Sequence, residues 1–128
     1  MSANDDNCGS NRGPELSIIL PCYNEEKNIS DVLRRYAAVL SGSGINAELV
    51  LVDNGSTDNS AQVISNELKN SDYFFARTVK VDKNIGYGFG VLSGLRNARG
   101  ESLAYSHADQ QCDAGDVIAA YKKLKSSA

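Results

Sequence analysis

The chain has 128 residues, 41% hydrophobic and 23% charged, which fits one globular domain with a modest core. Thirteen basic against sixteen acidic residues leave a formal net charge of −3 with no basic block, so the composition argues against a nucleic-acid partner. Its three cysteines (Cys8, Cys22 and Cys112) have no metal-ligand spacing, and an odd, scattered set suits a reducing compartment better than a disulfide framework.

No apolar run approaches the roughly 20 residues of a membrane helix. The N-terminus also lacks the charged flank and apolar region of a secretory signal, so a cytoplasmic chain is expected. Met1 to Pro14 is polar and rich in Asn, Asp, Ser and Gly. Such a segment buries too little surface to offset its ordering and is expected as a disordered tail, with the folded domain over residues 15–128.

Leu16 to Leu20 is a short apolar run, read as a buried strand that Pro21 ends. Ile29, Val32, Leu33, Tyr36, Val39 and Leu40 then recur at helical spacing until Ser41-Gly42-Ser43-Gly44 stops the helix. Ala47 to Val52 is a near-continuous apolar run, the mark of a parallel strand covered on both faces. Ser56 or Thr57 can cap a second helix carrying Ala61, Ile64 and Leu68, which Asn70 to Asp72 ends. Thr78 to Val81 reads as a third strand, and Val91, Leu92, Leu95 and Ala98 as a third helix closed by Asn97 to Gly100. Leu103 to Tyr105 is a fourth strand, and Asp113 with Asp116 resembles the capped start of a helix holding Val117, Ile118, Tyr121 and Leu124. Strict alternation of strand and helix predicts an α/β fold: a three-layer, Rossmann-like parallel sheet with right-handed crossovers and helices on both faces.

In such a sheet the carboxyl ends of all strands share one rim, where ligands bind. Polar clusters follow the strands there: Tyr23 to Glu25, Asp53 to Asp58, Lys83 to Gly86 and His107 to Gln111. Asp53 can accept hydrogen bonds from a base N–H or a ribose hydroxyl, although Asp-Asn-Gly-Ser is equally good turn chemistry. Gly86, Gly88 and Gly90 let a backbone approach a phosphate or sugar, or else a strand. Their G-x-G-x-G spacing after the third strand argues against a nicotinamide-binding fingerprint. Lys83 offers charge to a diphosphate, or is solvated surface. Asp109 and Gln111, two apart on an extended segment, project to one side with His107, a carboxylate, an amide carbonyl and an imidazole able to cradle a divalent cation. His107 reads equally as a structural residue, and Cys22 and Cys112 as buried strand-end residues without chemistry.

Ile18 to Glu26, Leu51 to Asp58, Asn84 to Gly88 and Ala108 to Gln111, in that order, resemble the family 2 glycosyltransferases, most closely the branch typified by dolichol-phosphate mannose synthase. The likeness runs from about Leu16 to the last helix. It implies a GT-A fold whose N-terminal half binds a nucleotide-diphosphate sugar such as GDP-mannose or a UDP-sugar. Pro21, Tyr23 and Glu25 would then line the nucleoside pocket, with Asp53 on the base and Ser56 and Asp58 nearby. Asn84 and Gly86 would border the ribose and diphosphate. Asp109 and Gln111 would match the metal-binding motif for Mg²⁺ or Mn²⁺, with His107 standing where the motif usually has its first Asp. Imidazole favours softer divalent ions than Mg²⁺.

The resemblance further implies inverting transfer to an acceptor, a polyprenyl phosphate at a membrane surface. The acceptor surface and the catalytic base would come from a second half, since no acidic residue follows Asp116. The chain is accordingly expected to be a truncated, donor-binding half of a metal-dependent transferase, peripheral to the membrane. The alternative is a non-catalytic sugar-nucleotide-binding module or relic. Either way an incomplete sheet leaves apolar surface uncovered, and self-association is expected.

Overall fold

The computed structural model describes residues 13–106, 108 and 114–126, except the side chain of Tyr87. The expected tail falls almost wholly outside this range, as do His107, Asp109, Gln111, Cys112 and Asp113. The elements are β1 (Leu16–Cys22), α1 (Ile29–Ser41), β2 (Ala47–Asn54), α2 (Ser60–Glu67), a 3-10 turn (Ser71–Tyr73), β3 (Ala76–Val81), α3 (Tyr87–Arg96), β4 (Ser102–Tyr105) and α4 (Ala114–Ser126). The strands form one parallel sheet in the order β3-β2-β1-β4.

β1 and β2 are the central strands, and every residue of both is buried. Their near-continuous apolar runs are the consequence, because each face of a central parallel strand meets a helix layer. Leu16, Ile18, Leu20 and Cys22 face one way with Leu49 and Leu51, packing on Ile29, Val32, Leu33 and Tyr36 of α1, Ile64 of α2 and Ile118 of α4. Ile19, Val50 and Val52 face the other way, against Leu95 of α3. Three helices therefore cover one face and one helix the other, the three-layer arrangement expected. α3 lies close to the sheet because Gly94 is small: a Cβ there would sit 2.3 Å from Ile19 Cγ2 and 2.9 Å from Val52 Cγ2.

Several boundaries differ from the sequence reading: β2 runs on to Asn54 and β3 starts at Ala76, and three others matter more. Pro21 does not end β1. It pairs in register with Val52, and the strand closes one residue later at Cys22. A proline near a strand's exit sacrifices a ladder donor where the ladder is about to finish anyway. Neither Ser56 nor Thr57 caps α2, which starts at Ser60; both hydroxyls bond Asn24 instead. α3 begins at Tyr87, ahead of the apolar register that announced it.

At the amino ends of the strands one buried carboxylate gathers several segments. Glu48 of β2, 7% exposed, accepts from Ser17 Oγ at 2.5 Å, Arg77 Nε at 2.8 Å and the Arg99 amide at 2.7 Å. Ser17 Oγ in turn accepts from the Gly100 amide at 2.7 Å, and Arg77 also donates to the carbonyl oxygen of Asn97. β1, β2, β3 and the turn after α3 are thus joined through a single acid. Burial works to raise the pKa of Glu48, but the bonds from Arg77, Ser17 and Arg99 outweigh it and hold the carboxyl below its ordinary value. Nearby, Glu15 accepts from Tyr121 Oη and Lys125 Nζ, both at 2.8 Å, which fastens α4 to the start of β1.

Glu48→Ala strands a guanidinium and a buried amide. It should lower unfolding free energy at pH 7 by about 3 kcal/mol in denaturant titrations. A depressed folded pKa stabilises above the unfolded value and loses that effect as pH falls through the folded one. The gap between wild type and variant should therefore be full above pH 4.5 and close progressively below it.

Candidate functional site

Because the strands are parallel, their exits stand side by side, and Cys22 at the end of β1 is the register partner of Asp53 near the end of β2. The order β3-β2-β1-β4 places β2 on one side of β1 and β4 on the other, so successive crossovers diverge at β1 and open a crevice at the rim.

The loop after β1 is clamped to the loop after β2 by Asn24. Its backbone takes φ +53°, a left-handed conformation that asparagine tolerates better than most residues. Asn24 Oδ1 accepts from the amides of Thr57 (2.8 Å) and Asp58 (3.2 Å), and its own amide donates to Ser56 Oγ at 3.1 Å. The Glu25 amide donates to Ser60 Oγ at 2.9 Å. Asp58 accepts from the Ser60 amide and hydroxyl at 2.8 and 2.5 Å, and from the Glu26 amide at 3.4 Å. Burial disfavours the Asp58 charge, yet the bonds from Ser60 and Glu26 prevail and keep its carboxyl below the ordinary value. Ser56 and Asp58 thus brace the two loops against each other.

Asp53 is 4% exposed. Its Oδ1 accepts from the Ser56 amide at 3.2 Å, which leaves Oδ2 for another donor. Asp53 stands at one end of an open cavity of about 380 Å³, lined also by Ala61, Ile64 and Leu68 of the α2 segment and by Thr78 and Lys80 of β3. Asn54 is also buried, at 3% exposure. It donates from Nδ2 to the Gly86 carbonyl at 3.2 Å, while its Oδ1 has no partner among the described residues. Asn84 Oδ1 accepts from the Gly86 amide at 2.8 Å, so the loop ahead of α3 is held from both sides.

Of the expected nucleoside-lining residues, Tyr23 is exposed at the rim, Glu25 half-buried beside it and Pro21 buried within β1. Asp53, Ser56, Asp58, Asn84 and Gly86 come together on the same rim, and Lys83 is exposed there. The glycines divide by purpose. Gly86 has φ +125°, Gly88 faces open space, and a Cβ at Gly90 would press on Asn54 Nδ2 at 2.8 Å. Burial, with the Glu25 and Asp53 charges adding to it, pushes the Cys22 thiol far above its ordinary pKa, so Cys22 is packing rather than a nucleophile. Among the described residues no group of three His, Cys, Asp or Glu side chains could hold a metal. Ser60 escaped the sequence reading, while Asn24 and Asn54 lay inside its rim clusters with no role of their own. Only the position of Asn24, just past a strand, could have flagged a left-handed turn.

A family model described as Glycosyl transferase family 2 matches residues 17–127, the sheet, the rim and α4 together. The chain belongs to that family. It is 33% identical over 96 residues to an undecaprenyl-phosphate 4-deoxy-4-formamido-L-arabinose transferase of Shewanella sediminis, covering 75% of this chain and 29% of that protein. With a dodecaprenyl-phosphate galacturonate synthase of Rhizobium johnstonii the identity is 31% over 111 residues, 87% of this chain and 32% of the other. The fold matches a mannosyltransferase of Pyrobaculum calidifontis in complex with GDP-Man and Mn²⁺ (TM-score 0.72, 24% identity, 89% of this chain and 33% of that one). It also matches S. aureus TarS in complex with UDP (TM-score 0.70, 25% identity, 88% and 32%). The resemblance read from the motifs and the GT-A architecture are both borne out. The chain spans about a third of the length of these relatives.

Gly55, at φ +69°, controls how closely the two rim loops approach, since a Cβ there would lie 2.3 Å from the Asn84 amide nitrogen and 2.8 Å from the Lys83 carbonyl carbon. Gly44, at φ +71° with nothing within 4 Å, isolates the conformational penalty alone. Gly44→Ala should cost about 1 kcal/mol, and Gly55→Ala at least about 2 kcal/mol because backbone must also move. Thermal melts of the two variants give the comparison.

Proposed function

We propose that this chain supplies the donor-binding part of a family 2 glycosyltransferase, which moves a sugar from a nucleotide-diphosphate sugar to a polyprenyl phosphate by inverting transfer. The observation that carries this reading is Asp53: a buried carboxylate with an oxygen left open at the exit edge of a parallel sheet, beside the loops that Asn24 clamps together. In this reading Tyr23 and Glu25 flank the nucleoside above Pro21, and Ser56 and Asp58 hold the loop that aims Asp53. Asn84 and Gly86 lie along the ribose and diphosphate. The similar structures contain GDP-Man or UDP, and the similar sequences are transferases of polyprenyl phosphates, which supports both the donor class and the acceptor class. No helix among the described residues is long and apolar enough to cross a membrane.

His107, Asp109 and Gln111 would hold a divalent cation. Their imidazole, carboxylate and amide donors suit Mn²⁺ better than Mg²⁺. Ala108, just beyond β4, is buried in the core. A cation bound there neutralises charge on the departing diphosphate. The solved complexes with Mn²⁺ support a divalent metal for the family's fold. The catalytic base is expected outside this chain.

Calorimetric titration with GDP-mannose and UDP-glucose, with Mn²⁺ or Mg²⁺, tests the proposal. Binding should appear with at least one donor, and Asp53→Ala should weaken it about tenfold or more, as loss of a charged hydrogen bond implies. Asp109→Ala should remove the metal dependence of binding. Absence of binding to every donor would overturn the reading, and metal-dependent turnover would show that the chain also transfers.

β4 is an edge strand whose Leu103 and Tyr105 are 53% and 59% exposed, with no charge between them, and such edges recruit other chains. Self-association is therefore expected at high concentration. Light scattering should show it reduced in Leu103→Lys.

A further inference from the structure

We propose that Asn24 is a positioning residue of the donor site: its side chain and left-handed backbone fix where Tyr23 and Glu25 stand relative to the loop after β2, so that a nucleotide meets the two loops already arranged. This rests on the donor-binding reading above. Little else holds Tyr23. Cys22 before it ends β1, and from Glu25 onward the chain is anchored by Ser60 Oγ and by the Glu25 carbonyl, which accepts from the Asn28 and Ile29 amides. Tyr23 itself is 45% exposed, and its side chain has no hydrogen-bond partner among the described residues.

Between those anchors the bonds come from Asn24. Its backbone amide donates to Ser56 Oγ at 3.1 Å, and its Oδ1 accepts from the Thr57 and Asp58 amides at 2.8 and 3.2 Å. Nδ2 donates to Thr57 Oγ1 at 3.2 Å. One side chain therefore has to accept from two converging N–H groups and donate to a hydroxyl oxygen, which a carboxamide does. The orientation of that amide is settled by the network, because a flipped one would set NH₂ against two backbone donors. The same residue has to hold φ +53°, where asparagine is among the few side chains that sit at modest cost.

The loop on the other side of the clamp is fixed independently. The Gly55 backbone packs on Lys83 and Asn84, and Asn54 Nδ2 donates to the Gly86 carbonyl, so the exits of β2 and β3 hold each other. Opening the Asn24 clamp thus frees the exit of β1 and leaves the others in place. A loop that spends part of its time in arrangements unable to bind lowers the apparent affinity by the fraction that remains competent.

The test is titration of UDP, GDP and inorganic pyrophosphate, each with Mn²⁺, into the full chain and its Asn24→Gly, Asn24→Asp and Gly44→Ala variants, with circular dichroism to show that each folds. Glycine accepts the left-handed conformation but brings none of the side-chain bonds; aspartate tolerates it and keeps an acceptor for the Thr57 and Asp58 amides. Asn24→Gly should weaken UDP and GDP about tenfold, as a competent fraction of about one tenth implies. Pyrophosphate should be nearly unaffected, because the diphosphate lies along Asn84 and Gly86 in this reading. Asn24→Asp should recover most of the loss. Gly44→Ala, strained at φ +71° at the opposite end of the sheet, should melt lower yet bind both nucleotides as the wild type does. In the free protein, hydrogen exchange at the Thr57 and Asp58 amides should be faster in Asn24→Gly than in the wild type.

An Asn24→Gly chain that binds UDP and GDP as tightly as the wild type overturns the inference, and so does unchanged exchange at Thr57 and Asp58. An equal loss for pyrophosphate, or a comparable loss in Gly44→Ala, would reduce the effect to general stability and overturns it too. If no nucleotide binds the wild type at all, the donor-binding reading fails and this inference with it, an outcome distinct from the others.

Discussion

The rest of the structure depends on the parallel pairing of β1 with β2, the two strands buried along their whole length. Parallel pairing cannot be closed by a tight turn, so a helix must intervene, and each strand leaves the sheet on the same side. That topological fact sets Cys22 against Asp53 and makes their following loops neighbours, although more than thirty residues separate them in sequence. The clamp through Asn24 is then a local consequence. Once the two exits are adjacent, a left-handed asparagine can offer its side-chain oxygen to two amides across the gap, which have no ladder acceptor of their own.

The two ends of the sheet use polar residues in opposite ways. At the amino end, Glu48, Ser17, Arg77 and the Arg99 and Gly100 amides form a closed set in which the donors meet acceptors inside the protein. Such a set is worth keeping only if it is complete, because a buried charge missing one partner is destabilising. At the carboxyl end the loops bond one another, but Tyr23, Lys83, Asn84 and Gly86 remain exposed and Asn54 Oδ1 lacks a partner. Polar groups are satisfied by one another where the strands begin and are left open where they end.

The sheet was legible in the sequence because β1 and β2 are apolar on both faces, and α1 because Ile29, Val32, Leu33 and Tyr36 repeat on one face over a polar frame. The rim clusters were legible for the same topological reason, since any parallel sheet delivers its strand-end residues to one edge. What the sequence hid was long-range bonding. Ser56 and Thr57 have cap chemistry, but tertiary bonds to Asn24 took their hydroxyls and α2 began four residues after Ser56. Pro21 reads as a strand breaker only if its missing N–H matters, and at a strand exit it does not. Glu48 sits in an apolar run where nothing local announces that the Arg77 guanidinium will arrive from later in the chain to neutralise it, or that the Arg99 amide will donate to it.

Three carboxylates show how far partner number can separate function from architecture. Glu48 receives bonds from Ser17, Arg77 and Arg99, and Asp58 from Ser60 twice and from Glu26. Both are spent on holding segments together, and both have pKa values drawn below the ordinary range by those bonds. Asp53 is as buried as Glu48 yet receives one bond, from Ser56. Unlike Asn54 Oδ1, the second oxygen of Asp53 is not a buried orphan: it stays open to the cavity beside β3. An acid that keeps one oxygen open is the one of the three still able to accept from outside the fold. In the donor-binding reading, that oxygen is the acceptor offered to an N–H of the base.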